Sequence, residues 1–324
     1  MEICRIGIVG TGYAAKKRAE AIAQDTRAVL VGVTGNSPER VESFCQEFGV
    51  SAVDSWLKLI DNPEIDLVIV CTINRDHGAI AHTALQAEKH VVVEYPLALS
   101  YREAREIVEL AQNQSKLLHI EHMELIGGLH LAIKEHLPQI GNPVYARYHT
   151  VAPQQDPPRN WKYHRDLFGF PLNAALSRVH RLTDLFGSVD SIFARNRYWM
   201  RKDTDYFTAC MCNAQLQFAN GVVAEITYGK GDAFSWGHRT LEIQGNEGTL
   251  LFEGEKGSLI RGKEQTPISV VSRRGLFAKD TKMVLDYLFA GDKLYLEPAA
   301  SLYATKVAEA ARQSAQTHQA VTID

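Results

Sequence analysis

Near the start of the chain, a short apolar run, Ile6–Val9, leads into Gly10-Thr11-Gly12-Tyr13-Ala14-Ala15 and then a helical stretch. These residue types at this spacing suit the binding of a pyrophosphate. Gly10 permits a tight turn, Gly12 lets the backbone approach the phosphates, and Ala15 allows close helix–strand packing. The helix N-terminus adds free amides and a partial positive charge. A plain β–α turn with incidental glycines is the alternative. The placement after a strand and before a helix favours a dinucleotide site through Gly10, Thr11, Gly12, Tyr13 and Ala14.

The end of the next apolar run sets the cofactor preference. An NAD site usually places Asp or Glu there to bind the ribose 2′-hydroxyl. This chain has Thr34-Gly35-Asn36-Ser37, with Arg40 close behind. A 2′-phosphate meets no carboxylate at the strand end, and Asn36, Ser37 and Arg40 can contact it. The sequence therefore predicts NADPH, with NADH the weaker alternative. Asn36-Ser37 can also cap the following helix. Two further loops follow strand ends, where ligands gather in open α/β sheets. One supplies Thr72, Ile73, Asn74 and His77, the other Glu94 and Tyr95.

In the second half, Arg178 and Arg181 lie three apart on a predicted helix and project from similar faces. A guanidinium fork binds carboxylates and stacks on flat π-systems. A pairing of both with Asp184 on a helix surface is the plain structural alternative. His122, Lys230, Trp161, Tyr163 and Arg239 are further candidates for lining a substrate, His122 and Lys230 foremost.

The elements that must position these residues follow from the patterning. Over residues 1–122, continuous apolar runs alternate with amphipathic helical stretches, which predicts an α/β Rossmann domain with a parallel sheet covered on both faces. Residues 123–324 carry longer, alternating strands separated by turns such as Ala219-Asn220-Gly221. They predict an α+β domain with a large, mostly antiparallel, open-faced sheet. Helices are expected at Leu172–Phe186, Lys279–Leu288 and Pro298–Ala315. The net charge of −3 gives no footprint for nucleic acid or an anionic membrane. No apolar run approaches a membrane span, and the N-terminus lacks a signal-peptide pattern. Five scattered cysteines fit a reducing, cytoplasmic compartment. Cys210 and Cys212 lack further ligands at metal-site spacing and are expected in the core, so no metal is predicted. The open sheet face can take substrate, solvent or a second subunit, so a homo-oligomer is possible.

Gly10-Thr11-Gly12, Thr72-Ile73-Asn74 with His77, and Glu94-Tyr95-Pro96 resemble the glucose–fructose oxidoreductase and inositol dehydrogenase superfamily, over essentially the whole chain. Sugar-oxidising members commonly carry Glu-Lys-Pro where this chain has Glu94-Tyr95-Pro96. They also carry an Asp and a His where it has Ala174 and Arg178. Alcohol oxidation needs a base for the hydroxyl proton. Ala174 cannot act as one, and Arg178 stays protonated. The combination of Glu94-Tyr95-Pro96-Leu97, Leu176-Ser177-Arg178, Tyr228-Gly229-Lys230-Gly231 and Ser272-Arg273-Arg274-Gly275 is similar to the biliverdin reductase family, cyanobacterial type. The resemblance implies NADPH-dependent reduction of biliverdin IXα, a linear tetrapyrrole, to bilirubin IXα. Hydride goes to the central methine carbon and a proton to a pyrrole nitrogen. It implies catalytic roles for Arg178, Tyr95 and Glu94, and substrate contacts for Arg178, Arg181, His122 and Lys230. The alternatives are an NADP-dependent sugar or polyol dehydrogenase of the same superfamily, or a non-catalytic dinucleotide-binding regulatory protein.

Overall fold

The structure, a computed structural model, describes residues 2–324. The chain divides into two compact units, residues 2–123 with Arg274–Leu302, and Glu124–Arg273 with Tyr303–Asp324.

The first unit is built on five strands: β1 (Cys4–Val9), β2 (Ala28–Thr34), β3 (Leu67–Val70), β4 (His90–Glu94) and β5 (Leu118–Glu121). They pair in parallel in the order β2-β1-β3-β4-β5. All four residues of β3, Leu67-Val68-Ile69-Val70, are buried. Alternate side chains enter opposite layers: Val68 and Val70 pack with Ile80 and Ile107, Leu67 and Ile69 with Ala15, Ala19 and Phe44. That two-residue period explains why a doubly covered strand reads as an unbroken apolar run. The connection order reverses between β1 and β3, so the loops after these strands flank the place where such sheets bind ligands.

Arg274–Leu302, which the sequence pattern leaves in the second domain, belongs to the first unit. Its helix Leu276–Ala290 sets Val284 and Leu285 against the layer holding Ile6 and Ile8. A helix at Trp56–Asp61, six residues long, is too short to show a period in the sequence.

The second unit holds β6 (Pro143–Pro153), β7 (Val189–Met200), β8 (Phe207–Phe218), β9 (Val223–Gly231), β10 (His238–Gly245), β11 (Thr249–Glu253), β12 (Lys256–Arg261), β13 (Glu264–Ser269) and β14 (Val321–Thr322). The order is β13-β12-β11-β10-β6-β9-β8-β7-β14. Every pairing is antiparallel except β6 with β9. Along β8, Cys210, Cys212, Ala214, Leu216 and Phe218 are buried, as a one-sided sheet requires. Burial pushes the Cys210 thiol up to about 12.

The edge strand β13 pairs with β12, whose Lys256-Gly257-Ser258 start lacks apolar alternation. One predicted helix differs. The helix expected over Leu172–Phe186 is broken. It forms as Pro171–Ala174 and Leu176–Phe186, separated by Ala175 at φ −106°, ψ 30°. Arg178 therefore stands in the first turn of its helix. The macrodipole disfavours a cation there by about 0.3–1 kcal/mol, so stabilising the helix does not account for it.

Candidate active site

The turn after β1 has the geometry a dinucleotide needs. Gly10 has φ +118°, and a Cβ there would lie 2.2 Å from the Cys71 carbonyl oxygen. Only glycine fits. Gly12 caps the helix Tyr13–Ile22, is exposed, and a Cβ on it would meet nothing within 4 Å. The helix has no side-chain cap. An anion is the natural partner for its first amides. Ala15 is fully buried against the sheet. After β2, the Ser37 hydroxyl accepts from the Arg40 amide at 3.4 Å and donates to a Glu39 carboxylate oxygen at 2.7 Å. Asn36 and Arg40 are exposed. Glu39, which the sequence argument overlooks, puts a carboxylate beside the predicted 2′-phosphate contacts. The Ser37 hydroxyl holds its carboxyl below the usual range.

His77 ties the other two loops together. Its Nδ1 lies 2.8 Å from the Pro96 carbonyl and its Nε2 3.3 Å from that of Thr72. A neutral ring donates to one of these at a time. Burial holds the ring below its ordinary value. Asn74 is buried in the same loop, where Thr72 and Ile73 are half-buried. Tyr95 stacks on the His122 ring with centroids 5.1 Å apart and planes 9° apart.

Beneath these loops runs a buried polar network. Arg18, with no exposed surface, donates to Glu94 at 3.2 Å, to the Thr281 hydroxyl at 3.0 Å and to Asp280. Asp280 also accepts from His119 Nε2 at 2.8 Å and the Tyr295 hydroxyl at 2.7 Å. The Tyr295 oxygen accepts from the His122 amide at 3.1 Å, and His122 Nε2 lies 2.8 Å from the Ser301 hydroxyl. Burial pushes the Asp280 carboxyl up, but Arg18 and His119 outweigh it and hold it well below the carboxylate range. Glu121, across from Glu94 in the sheet register, is raised far above its ordinary value by burial, then by Glu94 and Asp280. Its neutral acid form is favoured.

The second unit gathers a different set. From one helix, Arg178 lies over the Tyr228 ring at 5.8 Å and Arg181 over the Tyr148 ring at 5.5 Å. Arg178 also donates to the Ser177 hydroxyl at 2.9 Å. Arg181 donates to the Tyr148 hydroxyl at 2.7 Å and to both the carbonyl and the carboxylate of Glu124 at 3.2 Å. Arg239 donates to the Tyr148 hydroxyl at 2.8 Å, and Arg273 reaches Glu124 at 2.6 Å. Burial raises Glu124, but Arg181, Arg273, Arg239 and Arg178 bring it below its usual value. Tyr148 follows the same balance, burial against Arg181, Arg178 and Arg239, and its phenol is lowered. Asp184, the alternative partner for the arginines, instead accepts from His130 at 2.9 Å and Lys134 at 3.3 Å.

Lys230 is enclosed. Its Nζ donates to the Lys162 carbonyl at 2.8 Å and lies 3.9 Å and 4.5 Å from the Tyr163 and Phe168 ring centroids. Burial pulls the ammonium down to about 8. Of the predicted site residues in this unit, the structure brings Arg178 and Arg181 into one array and leaves Lys230 in an aromatic box. In the first unit it links Glu94, His122 and Tyr95 through the Arg18–Asp280 network. Glu124, Tyr148 and Asp280 join these networks without any signal in their local sequence. Arg18, placed in the apolar stripe of Ala15, Ala19 and Ile22, is a signal that a buried acid exists, but it does not say where.

Residues 4–122 match the family described as the GFO/IDH/MocA oxidoreductase family, NAD-binding Rossmann fold, and residues 134–323 match its C-terminal α/β domain. The chain belongs to this oxidoreductase family. Among family members, the solved structure of biliverdin reductase from Synechocystis sp. PCC 6803, in complex with biliverdin and NADP+, is 52% identical with a TM-score of 0.95. That match covers 96% of this chain and 99% of the other. Biliverdin reductase A of Mus musculus is 28% identical over 58% of this chain and 59% of its own length. An uncharacterized oxidoreductase of Streptococcus pneumoniae is 28% identical over 77% of this chain and 68% of its own. Among the described residues, no helix is long and apolar enough to cross a membrane.

Proposed function

We propose that this family member is an NADPH-dependent biliverdin reductase, reducing biliverdin IXα to bilirubin IXα. The observation that carries the reading is the 52% identity, along nearly the full length of both chains, to a protein solved with biliverdin and NADP+. The residues agree chemically. Gly10, Gly12 and the uncapped helix after them suit the cofactor's pyrophosphate, and Asn36, Ser37 and Arg40 suit a 2′-phosphate. A reduced nicotinamide, once bound, supplies the hydride. The chain's own work is then to orient a flat anionic acceptor, stabilise charge and move one proton.

Arg178 is assigned to holding and polarising the tetrapyrrole, and an ordered water it binds is assigned to proton delivery. A free guanidinium is too weak an acid to give up its proton readily. Tyr95, on its stacked partner His122, is the proposed wall beside the nicotinamide. Glu94 is assigned to orienting that wall through Arg18. Five free cysteines suit a reducing cytoplasm.

Mixing the protein with biliverdin and NADPH should turn a green solution yellow as NADPH absorbance falls. No colour change over a range of pH, with folded protein that binds NADPH, sinks the proposal and favours a regulatory dinucleotide-binding protein. Oxidation of polyols with NADP+ favours a sugar dehydrogenase. Arg178→Ala should lower turnover about 100-fold or more, as loss of a charge-stabilising contact does, while NADPH affinity changes less than about twofold.

A further inference from the structure

The guanidinium array of the second unit is unbalanced. Arg178, Arg181, Arg239 and Arg273 all act on the single carboxylate of Glu124. Tyr148 contributes an oxygen but no counter-charge, so four cations face one anion, a net of +3. Gathering like charges in a partly buried cluster costs free energy unless anions join them.

The four are not equivalent. The Arg181 side chain is 1% exposed, and its donors go to Glu124 and Tyr148, which makes it scaffolding. The Arg239 side chain is 27% exposed and lies 3.7 Å from Glu124, linked by charge rather than a hydrogen bond. Its Nε is buried with no hydrogen-bond partner among the described residues. The Arg273 side chain is 56% exposed, with one nitrogen on Glu124. Each guanidinium carries five N–H donors in a planar fork, so both have donors to spare for a carboxylate. Glu124 already shows how these groups hold one.

Resting on the proposed function, we infer that Arg239 and Arg273 form a carboxylate-recognition pair that selects the tetrapyrrole by its propionates, with Glu124 keeping both guanidiniums in place. Two propionates bring −2 against +3, so the dicarboxylate nearly neutralises the array. A neutral diester leaves it unbalanced.

The test compares biliverdin with its dimethyl ester, titrated by visible absorbance with NADP+ present, so that binding is read without turnover. The wild-type protein should bind the diester about tenfold or more weakly, the loss of a charge-assisted contact. Arg273→Ala and Arg239→Lys should weaken diacid binding several-fold and diester binding little, collapsing the ratio. With NADPH, the loss should appear in KM for biliverdin more than in kcat. Equal wild-type affinity for the two pigments overturns the inference, as do variants that keep the wild-type ratio. A change in KM for NADPH instead assigns the array to the cofactor's phosphate. Discrimination without NADPH oxidation sinks the proposed function and leaves this pair standing. Turnover without discrimination does the reverse, and no binding of either pigment removes both.

Discussion

Each unit contains one buried ionic system, and the two are built on opposite principles. In the first unit, Arg18 is shared between Glu94 and Asp280, so acids outnumber the cation. Asp280 has both oxygens engaged, by Arg18 on one side and by His119 and Tyr295 on the other. In the second unit cations outnumber the acid, and side-chain exposure climbs from 1% at Arg181 through 27% at Arg239 to 56% at Arg273. A network centred on a buried carboxylate with both oxygens engaged holds a fold together. A graded one with an excess of one sign suits a ligand of the opposite sign. Burial of charge alone does not separate the two roles. Saturation and access to solvent do.

The sharpest way to break that contrast is to remove one acid or one cation from each system and compare stabilities. Asp280→Ala leaves Arg18 and His119 without their shared partner in a dry interior. It should cost about 3–5 kcal/mol, the usual result of breaking a buried pair from one side. Arg273→Ala removes a half-exposed group from an ion pair and should cost about 1 kcal/mol or less. Urea midpoints for the two variants read both values. Equal losses would mean that the second array is also structural.

The same contrast decides what the sequence could reveal. The Gly10–Ala15 turn is legible because its requirement is local: a left-handed φ, an open backbone and a small residue within six positions. Arg178 is legible as a residue out of place, since the superfamily resemblance read from the sequence implies a base at the position it fills. The partner of Arg18 is not legible, because Asp280 lies 262 residues away in a segment whose pattern gives no hint that it returns to the Rossmann sheet. Glu124, Tyr148, Arg239 and Arg273 come from four separate stretches, and nothing in their local spacing predicts convergence. The break at Ala175 is hidden for another reason: the apolar spacing over Leu172–Phe186 stays helical across it.

A smaller effect tests the salt link beside the array. Asp184 is lowered from 3.8 to about 2, first by the His130 hydrogen bond and then by Lys134 acting against burial. Burial keeps His130 itself below its ordinary value, so near neutral pH the bond runs from an uncharged ring. A carboxyl lowered in the folded state contributes stability that is complete above the unfolded value of 3.8 and is lost as pH falls toward about 2. Asp184→Asn should therefore flatten the fall in urea midpoint between about pH 4 and pH 2.5. An unchanged acid limb assigns that fall to other lowered carboxyls, Asp280 and Glu124 among them.

The smallest effect at neutral pH is expected at Lys230, and it asks to which system that cation belongs. Its ammonium is buried, brought from 10.5 to about 8, yet boxed by Tyr163 and Phe168 and bonded to the Lys162 carbonyl. Three titratable groups of the same region stay out of that range: Cys210 stands at about 12, and the Tyr163 and Tyr198 phenols are raised by burial. Between about pH 8 and pH 10 the unfolded lysine holds its proton and the folded one gives it up, so stability should rise with pH there. Lys230→Met removes that slope. At neutral pH the lost cation–π contacts and hydrogen bond oppose the relief of burying a charge, so the net change should stay within about 1 kcal/mol. Urea midpoints at pH 7.5 and 9.5 measure both quantities, and the biliverdin titration supplies the discriminating result. If Lys230→Met weakens pigment binding as Arg273→Ala is expected to, the aromatic box is an extension of the anion array. Unaltered binding with a vanished slope makes Lys230 a core cation, closer in kind to Arg18 than to its neighbours on the same sheet.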